Sequence, residues 1–314
     1  LLILPIDQGL EHGPVDFFPN PDCKNPEYQF RLALDGGFSG IALHIGLAKK
    51  YMKKYCGRVP LILKINGKTN IPSDAQAFSP LTASVEDAVR LGADAVGYTL
   101  YVGSPRQGDD ILQLKKVRED CDRYGMPLII WSYPRGEAIE KKGGRDSLYA
   151  VDYAARVADE VGADIVKLNL PKDVNENCPK PYNTIDFNVE EAARRVVESA
   201  GKTLVLFSGG SKLGDEDLLE KVEIVMKAGA TGIIFGRNMW QRKYEEALVI
   251  NEKVKEKQLF YASVYRIRRH IDIQLKNLPP DSFAQVKRYV YFFDKDSNCH
   301  IHTINTYAKD LSKI

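Results

Sequence analysis

The stretch Leu148 to Leu170 reads LYAVDYAARVADEVGADIVKLNL and contains one whole unit of the fold. Up to Gly162 its apolar residues recur with a helical period. The Gly162-Ala163 step stops that helix, and Asp164 to Leu170 then runs mostly apolar, with Lys167 set between Val166 and Leu168. Aliphatic residues at successive positions mark a strand buried on both faces, as in a parallel sheet covered by helices. The same Gly-Ala step returns at Gly92-Ala93 and Gly229-Ala230, behind the helix-like stretches Ser84 to Gly92 and Asp215 to Gly229, so like units repeat weakly along the chain. Ser84 and Asp87 have the spacing of a capping box, and Ile111 to Gly125 is another helix-like stretch. Working outward, the other apolar runs are Leu1 to Asp7, Ser39 to His44, Pro60 to Asn66, Ala93 to Leu100, Pro127 to Tyr133, Thr203 to Ser208 and Thr231 to Gly236. With the first they make eight βα units, the count and size of an α/β (β/α)8 (TIM) barrel over residues 1–258. A doubly wound sheet has fewer strands and a glycine-rich turn after the first.

The chain has 314 residues, 44% hydrophobic and 27% charged, which suits a buried core and excludes disorder. Lys+Arg is 44 against Asp+Glu 42, and a net charge of +2 offers no global attraction to nucleic acid or to an anionic membrane surface. No apolar run approaches the roughly 20 residues of a membrane helix, so no membrane partner is expected. Cysteines at 23, 56, 121, 178 and 299 form no CxxC pair, which argues against a disulfide framework or a cysteine zinc site and fits a reducing cytoplasm. The opening Leu-Leu-Ile-Leu-Pro lacks an initiator Met and the features of a secretory signal, and residues upstream of Leu1 are expected to be absent.

Residues 259–314 differ in composition, with nine Lys+Arg against five Asp+Glu and nine of the thirty aromatic residues. They read as a separate basic, aromatic-rich, mostly helical extension. Its later helices are expected around Phe283 to Phe293 and from Thr303 onward, beyond a Pro279-Pro280-Asp281 break. Cys299, His300 and His302 lack distant partners and read as surface, so no metal site is expected.

In a barrel of this kind chemistry gathers at the C-terminal ends of the strands. The first strand ends in Asp7, followed by Gln8-Gly9-Leu10-Glu11-His12-Gly13-Pro14, and the fifth ends in Trp131-Ser132-Tyr133-Pro134-Arg135-Gly136. Lys167, between Val166 and Leu168, is the sharpest signal. A lysine normally titrates at about 10.4, and burial disfavours its charged form. Such a lysine is either paired structurally with a carboxylate or neutral and able to condense with a ketone to a Schiff base. Lys64, in Leu63-Lys64-Ile65-Asn66, obeys the same logic and is read as a charge neighbour that keeps Lys167 neutral. Tyr133 shares a strand face with Trp131 and can pass a proton, and Asp7 can hold the lysine or a carbinolamine hydroxyl. Ser208-Gly209-Gly210-Ser211-Lys212 leaves the seventh strand and Gly236-Arg237-Asn238 the eighth, where barrels bind phosphate. Glycines let amides approach the anion, while Lys212 and Arg237 add charge.

Leu4-Pro5-Ile6-Asp7-Gln8-Gly9, Glu11-His12-Gly13-Pro14, Trp131-Ser132-Tyr133-Pro134-Arg135-Gly136 and Asp164-Ile165-Val166-Lys167 resemble the archaeal-type class I fructose-bisphosphate aldolases, in that family's order and on its strands. The resemblance covers almost the whole barrel. It implies metal-independent, cofactor-free aldol cleavage of a phosphorylated sugar by a homo-oligomer, with Lys167 as the Schiff-base lysine and Tyr133 as the proton-transfer residue. It further implies that Asp7 and Trp131 shape the reacting centre, that Ser208, Gly209, Gly210, Gly236 and Arg237 hold the phosphate of the dihydroxyacetone half, and that His12 and Arg135 lie near the rest of the sugar. Family members often have His where this chain has Gln8, which is given no catalytic role. The alternative within the superfamily is a sister enzyme making an amino-dideoxy-heptulosonate through an equivalent lysine; Glu11 to Pro14 and Trp131-Ser132 favour the sugar bisphosphate. For the extension, Thr303 to Leu311 is similar to part of the DNA-touching core-binding domain of tyrosine recombinases. A local charge of about +4 is modest, so packing on the barrel or on another subunit is the preferred reading and nucleic acid is not an expected partner.

Overall fold

The computed structural model describes residues 1–6, 8–172, 176–276, 286–293 and 299–306, with side chains to residue 262 except that of Gln8. All eight apolar runs become strands. In chain order the first half comprises β1 (Leu2–Pro5), α1 (Gln8–Glu11), α2 (Glu27–Asp35), β2 (Gly40–His44), α3 (Ile45–Tyr51), β3 (Leu61–Lys64), α4 (Val85–Arg90), β4 (Ala95–Val102) and α5 (Gln107–Tyr124). Then follow β5 (Leu128–Pro134), α6 (Glu137–Glu140), α7 (Leu148–Glu160), β6 (Ile165–Leu168), α8 (Val189–Ser199), β7 (Leu204–Ser208), α9 (Asp215–Lys227), β8 (Gly232–Ile234), α10 (Arg237–Trp240) and α11 (Tyr244–Lys276). The eight strands form a closed parallel barrel in sequence order, sealed where Leu2 and Ile3 of β1 register with Ile233 and Ile234 of β8. Together these elements make a (β/α)8 barrel.

Strand periodicity explains how the lumen is filled. Ile3, Ala42, Ile62, Ala95, Ile129, Trp131, Leu206 and Ile234 pack together as one buried cluster, drawn from seven of the eight strands. A period of two carries the same inward face one step toward the C-terminal ends, from Ile62 to Lys64, from Trp131 to Tyr133, from Ile165 to Lys167 and from Leu206 to Ser208. The apolar layer is therefore the floor on which a polar layer stands. The helices follow local signals: the capping box of Ser84 and Asp87 starts α4, Asn188 and Glu191 form another for α8, and Gly125 at φ 64° ends α5.

The chain divides into two compact units, Leu1–Lys257 and Gln258–Ile314. Within the second, α11 runs to Lys276, after which β9 (Val286–Phe293) and β10 (Cys299–Thr306) pair antiparallel, Val286 with Thr306 and Phe293 with Cys299. This corrects the helix expected around Phe283 to Phe293; the one expected from Thr303 onward is strand through Thr306, and the rest of it falls outside the described residues. Val-Lys-Arg-Tyr-Val-Tyr-Phe-Phe is β-branched and aromatic, residues that lose χ1 freedom in a helix and pack well on a pleated surface. The recombinase-like stretch lies partly in β10, through Thr306, and its remainder falls outside the described residues. No helix among the described residues is long and apolar enough to cross a membrane.

Candidate active site

A cavity of about 650 Å³ opens at the C-terminal ends of the strands. Lys167 stands on its floor, 7% exposed at the end of β6. Its Nζ lies 5.3 Å from the centre of the Tyr133 ring and 5.4 Å from that of Trp131, so amine and phenol from neighbouring strands meet over a shared aromatic wall. Lys64 is fully buried against the same Trp131 ring, its Nζ 4.8 Å from the ring centre and 2.7 Å from Glu11 Oε1. The pair with Glu11 balances the Lys64 charge, so Lys64 acts on Lys167 as half of an ion pair rather than as an isolated cation. Lys64 and Trp131 are not part of the cavity lining, whereas Lys167, Tyr133 and Glu11 are. Asp7 lies outside the described residues.

The β7 and β8 ends form one wall. Ser208, Gly209, Gly210, Gly236 and Arg237 all line the cavity. Gly210 has φ 72°, the left-handed region in which a side chain is strained, and this turn presents the loop's backbone to the cavity. The Gly209 amide donates to Ile234 O at 3.3 Å, so Gly209 locks the loop to β8. The Ser208 hydroxyl donates to Asn169 Oδ1 at 2.8 Å, Asn169 Nδ2 donates to Asp146 Oδ1 at 2.9 Å, and Asp146 pairs with Lys172 at 3.3 Å. Arg237 is steered by Asp16, 3.9 Å away, whose carboxylate also meets His12 Nδ1 at 2.7 Å. His12 and Arg237 thus face the cavity side by side. Lys212 does not join them: its Nζ donates to Gln241 O at 3.1 Å, at the end of α10, and its side chain is no part of the cavity wall.

Across the cavity, Asp74 collects three cations. Lys68 Nζ lies 2.8 Å from Oδ1, while Arg135 Nε and an Arg145 amino group lie 2.9 and 3.7 Å from Oδ2. Burial pushes the Asp74 carboxyl upward, but the hydrogen bond from Lys68 and the charges of Arg135 and Lys68 outweigh it and hold the carboxyl below its usual value. One carboxylate against three cations leaves this end positive, and Arg135 also lies 5.2 Å from the Tyr133 ring centre. Sequence reasoning found Arg135 but missed Lys68, Asp74, Arg145, Asp146, Asn169 and Lys221, all on the cavity wall. Only Asn169 carried a usable signal, two residues beyond Lys167 and therefore on the same strand face. Among the described residues no group of three or more His, Cys, Asp or Glu is placed to hold a metal ion.

A buried lysine inside a (β/α)8 barrel, beside a phenol and between two cation-bearing ends, is the arrangement a Schiff-base aldolase class of site requires. Residues 1–242 match the model of the DeoC/LacD family aldolases, and the chain belongs to that family. More particularly, it is 44% identical over 243 residues to the class 1 fructose-bisphosphate aldolase of Thermoproteus tenax, covering 77% of this chain and 84% of that one. It is 37% identical over 249 residues to the enzyme of the same name from Halobacterium salinarum, covering 79% and 87%. Among solved structures, an archaeal fructose 1,6-bisphosphate aldolase is similar with a TM-score of 0.71 at 42% identity, covering 82% of this chain and 92% of that chain. Another, at 41% identity and a TM-score of 0.71, carries its catalytic Lys covalently bound to the carbinolamine intermediate of the substrate, covering 83% and 94%.

Proposed function

We propose that this protein is a class I fructose-bisphosphate aldolase, a lyase that reversibly cleaves fructose 1,6-bisphosphate to dihydroxyacetone phosphate and glyceraldehyde 3-phosphate. The observation that carries this reading is the Lys167 amine, buried on the cavity floor with Tyr133 at its side and the β7 and β8 loops above it. The neutral amine attacks the C2 ketone, and Asp7 orients the carbinolamine before it loses water to an iminium. That cation draws in the electron pair of the C3–C4 bond as it breaks and a base accepts the C4 hydroxyl proton, so glyceraldehyde 3-phosphate leaves and an enamine remains. Tyr133 protonates C3 of the enamine, and hydrolysis releases dihydroxyacetone phosphate and restores Lys167. Trp131 shapes the reacting centre.

The loops of Ser208, Gly209, Gly210, Gly236 and Arg237 take the phosphate of the dihydroxyacetone half, and Arg135, with Lys68 and Arg145, faces the second phosphate. His12 lies near the rest of the sugar. Two cationic ends suit a bisphosphate better than a substrate with one charged end. The strongly exposed Phe18 and Ile71 suit coverage by a second copy, and a homo-oligomer is part of this reading, to be checked by sedimentation. The deciding experiment is borohydride reduction in the presence of dihydroxyacetone phosphate, followed by peptide mapping. The adduct is expected on Lys167, and an adduct on Lys64 or none at all overturns the reading.

A further inference from the structure

Lys221 occupies a position in α9 where the helix pattern calls for an apolar residue. Leu218, Val222 and Val225 are buried, and position 221 falls on the same stripe at the i, i+3, i+4, i+7 spacing. Its side chain passes under the β7 loop and lines the cavity. There Nζ donates to Gly209 O at 3.2 Å, and this bond uses one of the three donors of an ammonium group. No carboxylate lies within ion-pair distance of it among the described residues. Burial pulls Lys221 down to about 8; the charge of Asp146 opposes the shift and that of Lys172 adds to it. Asp146 reaches this corner from the segment before α7 and Lys172 from the segment after β6, and Arg237 stands on the same cavity wall. A half-buried ammonium that gives one donor to a carbonyl has two more to offer, and on the cavity wall an anion can complete its surroundings.

We propose that Lys221 is a further anion-binding residue of this site, donating from beneath the Gly209-Gly210 turn to the phosphate on the dihydroxyacetone half of the substrate. This rests on the aldolase reading and extends it from the strand-end loops to a helix behind them. Because a dianionic phosphate favours the charged amine, binding above pH 8 draws a proton onto Lys221. Affinity for a phosphorylated ketone therefore falls as pH rises through about 8.

The test compares wild type with Lys221→Met, which keeps the length and apolar stem of the side chain. Affinities for dihydroxyacetone phosphate and for dihydroxyacetone, which has no phosphate, are read from the concentration dependence of borohydride trapping between pH 6.5 and 9.5. The variant is expected to bind the phosphorylated ketone at least tenfold more weakly at pH 7 and to lose the break near pH 8, while its affinity for dihydroxyacetone stays within twofold. Equal weakening toward both ketones, or unchanged affinity for the phosphorylated one, overturns the proposal. Calorimetric binding of inorganic phosphate supplies a readout independent of imine chemistry. If wild type traps neither ketone the aldolase reading fails, and loss of phosphate binding in Lys221→Met would still uphold the anion site.

Discussion

At the scale of single residues, the proposed reacting centre depends on two neighbouring strands delivering an amine and a phenol to one aromatic wall. Lys167→Met is expected to abolish borohydride-dependent labelling and to lower kcat at least a thousandfold, because no other nucleophile replaces the imine. Tyr133→Phe separates proton transfer from imine formation. Trapping with dihydroxyacetone phosphate should persist while kcat for cleavage falls about 10²- to 10⁴-fold, the usual contribution of a positioned acid or base. Loss of trapping in Tyr133→Phe would instead assign the phenol to the condensation step. The sequence marks Trp131 and Lys64 as site candidates, but it does not show that both stay out of the cavity lining. That depends on Glu11 arriving from α1 to pair with Lys64, a contact across 53 positions that no local pattern encodes.

At the scale of elements, the β7 loop is rigid because α10 staples it. Asn238 Nδ2 donates to Ser211 O at 3.1 Å and Asn238 Oδ1 accepts from Leu213 N at 2.8 Å. A Cβ at Gly209 would stand 2.5 Å from Asn238 Nδ2 and 2.8 Å from the Phe235 ring, so Gly209→Ala displaces the staple. The expected outcome is a KM for fructose 1,6-bisphosphate raised about tenfold with kcat changed far less, as for loss of binding shared by ground and transition states. The Ser84 cap of α4 provides a contrast remote from the cavity. Ser84→Ala should cost about 1 kcal/mol in chemical denaturation and leave KM untouched. The cap was legible because a capping box is a local pattern; the Gly209 contact was not, because Phe235 and Asn238 arrive from the next βα unit.

At the scale of the whole molecule, the barrel buries ionisable groups outside the cavity, and one of them couples stability to pH. Asp110 is fully buried between α5 and β4, where its carboxyl accepts from the Tyr98 hydroxyl at 2.6 Å and from the Tyr101 amide at 3.0 Å. Burial outweighs these bonds and raises it from 3.8 to about 6. Between those values the native state holds the proton more tightly than the unfolded chain, so this group's contribution is fully present below pH 4 and is lost as pH rises through 6. That amounts to about 3 kcal/mol at 1.36 kcal/mol per pH unit. Melting of Asp110→Asn is expected to lack this downward slope from pH 4 to 6 that wild type carries, and identical slopes would remove Asp110 from the account.

The hydrophobic alternation of residues 1–258, with its Gly-Ala stops, was enough to predict the eight strands, their order and the closed barrel. Strand burial and helix termination are written in neighbouring residues. It also placed Lys167, Tyr133 and the β7 and β8 glycines at the strand ends, since a period of two carries an inward face from floor to rim. The strand β9 of the extension reads as a helix in sequence because short aromatic and β-branched runs fit either period. Only tertiary structure decided which charges meet. Asp74 gathering Lys68, Arg135 and Arg145, Asp16 joining His12 to Arg237, Lys212 turning to Gln241 and Lys221 entering from a helix all depend on loops far apart in sequence converging on one rim. Their pairings are set by distance in space, and single-sequence periodicity does not carry that information.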